Sequence, residues 1–265
     1  MMDCKRALTE TGGDLDEAVK FLRSKGLAAA AKKAHRTAGE GTVVVVGDDK
    51  TMVVLELNCE TDFVARNPEF QSFAEALATQ ALESAVDDAE ALRQQPMAGD
   101  PEHTVEQAIS TKIATIGENI ILSRLARIEA SEGGLLNFYV HGGGNIGVVV
   151  EGAGGADAEA LHDVALHVAA TDPRFVNRDE VTEELLATER EIALKQAIDS
   201  GKPEEIAQRI VHGKMEKFFE REVLLEQAFA KDPSLKVGEY LKKAAGDDAT
   251  VVRFFRFKLG EGSGE

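Results

Sequence analysis

Gly142, Gly144 and Gly147 satisfy the pattern G-x-G-x-x-G. A dinucleotide fingerprint of that form must run from a strand into a helix, so that the helix N-terminus faces the pyrophosphate. Here the glycines lie between two strand-like runs, residues 135–140 and 146–150, and read as a flexible hairpin turn. His141-Gly142-Gly143-Gly144 has the make-up of an esterase oxyanion loop, but that chemistry needs a G-x-S-x-G nucleophile elbow, which the sequence lacks. His162 and His167 are five apart, not the four that places two metal ligands on one helix face. Cys4 and Cys59 sit in no Cys-x-x-Cys or Cys/His spacing. No Walker motif is present, and Thr11-Gly12-Gly13-Asp14 reads as a helix connector. The expectation is therefore no catalytic residue, no cofactor and no metal: a protein that is not an enzyme.

The most informative stretch is Asn58-Cys59-Glu60-Thr61-Asp62-Phe63-Val64-Ala65-Arg66-Asn67. It leaves an apolar strand and precedes a capped helix, so it lies on a connection, where a rigid scaffold presents binding groups. Two readings fit it. Thr61 and Asp62 cap a helical turn while Phe63 tucks into the core. Or Phe63 stands at a loop tip and wedges into a partner's pocket, with Asp62 carrying negative charge toward that partner's own ligand.

The elements around it follow from periodicity. Met1, Cys4 and Leu8 share one helix face. Asp14 with Glu17 forms a capping-box pattern for a second helix with the stripe Leu15, Val19 and Leu22, ended by Gly26. Residues 28–36 read as a basic helical connector. Residues 43–46 and 52–57 form a β-hairpin across Gly47-Asp48-Asp49-Lys50. Asn67 and Pro68 open a helix, residues 87–103 read as an acidic loop, Thr104 with Gln107 opens another helix, and residues 120–128 read as a strand. The same order recurs: a hairpin around 141–145, a helix over 157–170, a helix near 237–244 and a strand over 251–259. The fold class predicted is α+β, with two similar core subdomains. Residues 179–222, rich in Glu, Lys and Arg with apolar residues too sparse for a globular core, read as an inserted antiparallel helical hairpin turning at Asp199-Ser200-Gly201-Lys202-Pro203. It is either a solvated arm or a contact and dimerisation arm.

Composition sets outer bounds. Of 265 residues, 47 are acidic and 30 basic, a formal charge of −17 that favours solubility and repels a nucleic-acid backbone. A hydrophobic share of 43% suffices for a core. No stretch approaches the about 20 apolar residues of a membrane span. No apolar signal segment opens the sequence, whose first residues look like the middle of a helix. Two isolated thiols suit a reducing compartment, so a cytoplasmic location is expected, with neither nucleic acid nor membrane as partner.

Residues 58–67 closely resemble the hallmark segment of elongation factor Ts, the guanine-nucleotide exchange factor of the GTPase elongation factor Tu. The resemblance extends along the chain. Met1-Met2-Asp3-Cys4-Lys5-Arg6-Ala7-Leu8 resembles the second helix of the family's N-terminal domain. Residues 141–150 resemble the hairpin of its second core subdomain. Ser200-Gly201-Lys202-Pro203 with Glu205-Ile206-Ala207 resembles the tip of its helical hairpin, and Val252-Arg253-Phe254 through Gly260-Glu261-Gly262 its last strand. The resemblance implies a ubiquitin-associated-type helical unit with connector at 1–36, lacking the first helix that precedes the Met-Met pair in the family. It also implies core subdomains at 37–130 and at 131–178 with 223–265, and the hairpin at 179–222. A C-terminal helical module found in some members has no counterpart before Gly264-Glu265. The implied role is in translation elongation: binding elongation factor Tu and releasing its GDP by disturbing the Mg²⁺ site. Thr61, Asp62, Phe63 and Val64 are the implied contact segment, with Met1, Met2 and His141 as secondary contacts. A dimer through the core or the hairpin is compatible with this reading.

Overall fold

The computed structural model describes residues 2–199, 201 and 203–261. Helices and small sheets alternate along the chain in an α+β fold, divided into two compact units. The first comprises residues up to 129 with 140–147 and 257 onward; the second comprises 130–139 and 148–256.

In the first unit, α1 (Met2–Glu10) and α2 (Leu15–Lys33) lead to β1 (Glu40–Gly47) and β2 (Thr51–Cys59). A one-turn helix α3 (Asp62–Ala65) precedes α4 (Pro68–Glu83). Then come α5 (Ala89–Gln94), the ribbon β3 (Pro96–Met97) and β4 (Asp100–Thr104), α6 (Val105–Ile116) and β5 (Ile121–Glu129). The antiparallel sheet runs β1-β2-β5, pairing Val44 with Leu55 and Leu55 with Leu125. As the central strand, β2 is buried on both faces, which explains its nearly unbroken apolar run. Leu55, Leu57, Phe70, Leu77 and Val105 are fully buried in the core that joins the sheet to α4 and α6.

The second unit holds most of β6 (Leu135–His141) and β7 (Ile146–Ala153), then α7 (Ala158–Thr171), α8 (Glu183–Asp199), α9 (Glu204–Glu222), the ribbon β8 (Ala228–Phe229) and β9 (Asp232–Lys236), α10 (Val237–Ala245) and most of β10 (Thr250–Lys258). Its sheet runs β6-β7-β10, the same order as β1-β2-β5. The recurrence reaches single bonds. Val105 N donates to Gln95 O at 2.9 Å, and Val237 N to Gln227 O at 3.0 Å, each closing a ribbon with the same register shift.

Four local readings are corrected. The helix expected to end at Gly26 runs on to Lys33: Ala28–Ala31 are strong helix formers, and Gly26 is buried facing Ser110 and Ala114 of α6. Its stripe is not core, since Leu15 and Val19 are exposed while Ala7 and Ala18 are buried; two short helices bury little by themselves. The expected loop at 87–103 contains α5, capped by Asp88 and anchored by the buried Leu92, followed by the first ribbon. The segment 179–222 does carry a small core at its base, where Val181, Leu186, Met215, Phe218, Phe219 and Val223 cluster. Ser200 and Lys202, expected at its turn, and Gly262 lie outside the described residues.

Candidate functional site

The segment between β2 and α4 is built from its ends inward. β2 finishes on the buried Cys59, whose thiol donates to Thr61 O at 3.3 Å. Burial, and then the charge of Glu118, push that thiol up to about 12, so it stays a neutral donor. Thr61 then caps α3, its hydroxyl accepting from Val64 N at 3.4 Å. Ala65 N and Arg66 N donate to Thr61 O and Asp62 O, both at 3.1 Å, and Asn67 side-chain oxygen caps α4 by accepting from Glu69 N at 2.8 Å. Ala65 is buried in the core and Val64 packs against it. With those two positions turned inward, Phe63 points out, 84% exposed. Thr61 therefore caps a turn, as one sequence reading held, while the core placement of Phe63 in that reading is corrected.

The turn is held at both ends by side chains outside it, one of them far away in sequence. Glu118 Oε2 accepts from Glu60 N and Thr61 N, each at 3.0 Å, and Oε1 accepts from the Thr61 hydroxyl at 2.6 Å. Glu60 Oε1 in turn accepts from Asn119 N at 2.7 Å and pairs with Arg36 at 3.4 Å. The Asn119 bond, followed by Arg36, holds the Glu60 carboxyl below its ordinary value. At the other end, Gln71 Nε2 donates to Ala65 O while its Oε1 accepts from Thr42 Oγ1 at 3.3 Å. Asp62 faces solvent beside Arg66, 3.3 Å away. Sequence reasoning missed Glu118, Asn119, Gln71 and Arg36 as supports. No spacing rule connects Thr61 to a residue 57 positions away.

His141 is exposed at the end of β6, where its carbonyl accepts from Asn145 N at 3.0 Å. The turn that follows is docked on β1, with Val43 N donating to Gly144 O at 2.8 Å. Gly144 has φ +108°, and a Cβ there would meet Thr42 Oγ1 at 2.2 Å, so that approach requires glycine. The glycine pattern thus serves a hairpin. Met2 is 76% exposed on α1, and Met1 lies outside the described residues. The structure places Thr61, Asp62, Phe63 and Val64 on one turn, with Met2 on a different element.

The histidines of α7 have local partners. His162 Nδ1 lies 2.9 Å from Phe138 O. His167 is fully buried, its Nε2 2.9 Å from Gln227 Oε1, while Nδ1 accepts from Ala230 N at 3.1 Å. Among the described residues no group of His, Cys, Asp and Glu is arranged to hold a metal, and no helix is long and apolar enough to cross a membrane.

A family model described as Elongation factor TS matches residues 60–261, beginning at the candidate segment. An elongation factor Ts of Chlorobium phaeobacteroides (strain BS1) is 47% identical over 270 residues, covering 98% of this chain and 93% of the relative. Another, from Syntrophotalea carbinolica (strain DSM 2380 / NBRC 103641 / GraBd1), is 45% identical over 270 residues, covering 99% and 88%.

Proposed function

Because this chain belongs to the elongation factor Ts family, we propose that it binds elongation factor Tu carrying GDP and promotes GDP release, so that GTP can enter. The observation that carries the reading is Phe63, 84% exposed on a turn whose backbone is hydrogen-bonded at both ends. A large apolar ring held in water by a fixed backbone is a wedge awaiting a pocket. Burying it against the partner supplies about 1.5–3 kcal/mol. Mg²⁺ demands near-octahedral oxygen ligation and neutralises nucleotide phosphates. A wedge that displaces its ligands leaves those phosphates under-compensated, and GDP affinity falls. Asp62, next to Phe63 and with its carboxylate in a surface pair with Arg66, brings negative charge toward the same place. Thr61 and Val64 fix the turn, and Met2 and His141 extend the contact surface. No bond of the nucleotide breaks. The energy is differential binding, so GDP·Mg²⁺ must weaken this protein's hold on its partner by the same factor.

Release of labelled GDP from elongation factor Tu, with this protein at substoichiometric amounts, tests the reading. Acceleration supports it. Binding without acceleration makes the chain an adaptor. Calorimetric titration of the partner with and without GDP·Mg²⁺ checks the linkage; equal affinities would sink the exchange reading.

A further inference from the structure

Glu60 and Thr61 are clamped by one carboxylate from just beyond the C-terminal end of α6. Gly117, with φ +93°, ends α6 in the left-handed conformation and turns the chain so that Glu118 reaches back to the end of β2. One carboxylate there accepts two backbone N–H groups and one hydroxyl proton. With its proton donated to Glu118, the Thr61 hydroxyl offers a lone pair to Val64 N. Asn119 N returns a bond to Glu60 Oε1, and the Asn119 side chain donates to Arg36 O at 2.9 Å. A carboxylate, being acceptor-only, meets all three donors at once. A glutamine would turn an NH₂ group toward at least one of them. The carboxylate is outside the apolar core, which closes through Ala65, Phe70 and Ile120 without it.

We propose that Glu118 is a positioning residue for exchange: it fixes the N-terminal end of the turn so that Phe63 is presented ready to dock. This rests on the exchange reading above. Preorganisation of this kind removes the cost of ordering a side chain and its loop on binding. Glu118→Gln in the full chain is expected to slow GDP release from elongation factor Tu roughly tenfold, the effect of leaving one such group to be ordered in the complex. Amide exchange at Glu60, Thr61 and Val64 should speed up in the free variant.

The deciding measurement is a double-mutant cycle with Phe63→Ala. If Glu118 acts through Phe63, then Glu118→Gln should change exchange less than about twofold once Phe63 is gone. Equal losses in both backgrounds would overturn the inference and make Glu118 either a contact of its own or a general support. So would unchanged exchange in Glu118→Gln despite faster amide exchange. If Phe63→Ala alone leaves exchange intact, the chain exchanges nucleotide by another contact and this inference fails while the exchange reading stands; if the parent chain itself gives no acceleration, the exchange reading fails. Should Glu118→Gln not fold, Thr61→Val removes the hydroxyl from the same clamp and carries the same cycle, with the same outcomes deciding.

Discussion

Phe63 and His167 are opposite cases of a side chain out of its usual place. Phe63 stands in solvent, so truncating it removes little that holds the fold. Phe63→Ala is expected to weaken exchange by a hot-spot amount, about 2 kcal/mol or roughly thirtyfold, with an almost unchanged melting temperature. A large drop in melting temperature with normal exchange would reverse that assignment. His167 is fully buried and neutral by construction, because Nδ1 must accept from Ala230 N. Burial holds its imidazole below the ordinary value, against a smaller opposing pull from Gln227. With a depressed folded-state value, the unfolded chain takes up the proton first as pH falls. The stabilisation is fully present above about pH 6.5 and is lost as pH falls through the folded-state value. In the first unit, Gln80 has a parallel role, accepting from Ala98 N at 2.8 Å and donating to Pro96 O at 2.9 Å. His167→Gln should therefore fold and show a shallower loss of thermal stability between about pH 7 and 5. Parallel pH profiles for parent and variant would refute the role of His167.

At the scale of elements, β2 carries one buried charge. Glu56 is fully buried; it accepts from Arg124 Nε at 2.7 Å, from Asn58 Nδ2 at 3.0 Å and from Gly260 N at 2.9 Å. Arg124 also donates to Lys258 O at 2.8 Å, so the pair secures the chain after β10 to the first sheet. Removing one partner of a buried pair costs more than the pair contributes, because the other charge is left bare. Arg124→Met is expected to lower unfolding stability by about 3 kcal/mol, measured by denaturant titration, and joint replacement with Glu56→Leu should restore part of it. The same elements show what a sequence reveals. The caps at Asn67 and Thr104 were legible because capping chemistry is local. The full length of α2 was not, since Gly26 marks packing against α6 as readily as a helix end. Phe63 was legible as a candidate and, on one of two readings, as an exposed loop-tip ring; the choice between them rests on Val64 and Ala65, whose inward turn is declared only by the core they meet. Glu118 was not legible at all: its role depends on two corners meeting in space.

Across the whole molecule, one frame is used twice with different additions. After β2, residues 60–67 hold α3 before the next helix begins; after β7, only residues 154–157 intervene. The second copy instead carries α8 and α9 between its helix and its ribbon. Their distal part, including the buried Ala193, Ala197 and Ala207, packs within the arm, while Leu186, Met215, Phe218 and Phe219 share a core with Val181 and Val223. Arg178 ties the base to Glu216 at 2.8 Å and to Glu226. Replacing residues 190–210 with a short Gly/Ser linker should leave a cooperative fold with nearly unchanged thermal unfolding. Replacing all of 179–222 should destabilise the chain by several kcal/mol, since each large apolar side chain removed from a core costs about 3 kcal/mol. Circular dichroism melts distinguish the two; equal melts would mean the basal cluster contributes nothing.

The sequence contains no tryptophan and two tyrosines. The chain is consequently almost dark under excitation at the red edge of protein absorption, and its exposed ring at position 63 is the natural place for a lamp. A Phe63→Trp indole would emit from water in the free protein and from an apolar pocket when docked. Its colour would report, in real time and without any attached dye, whether that one side chain is in solvent or in a partner.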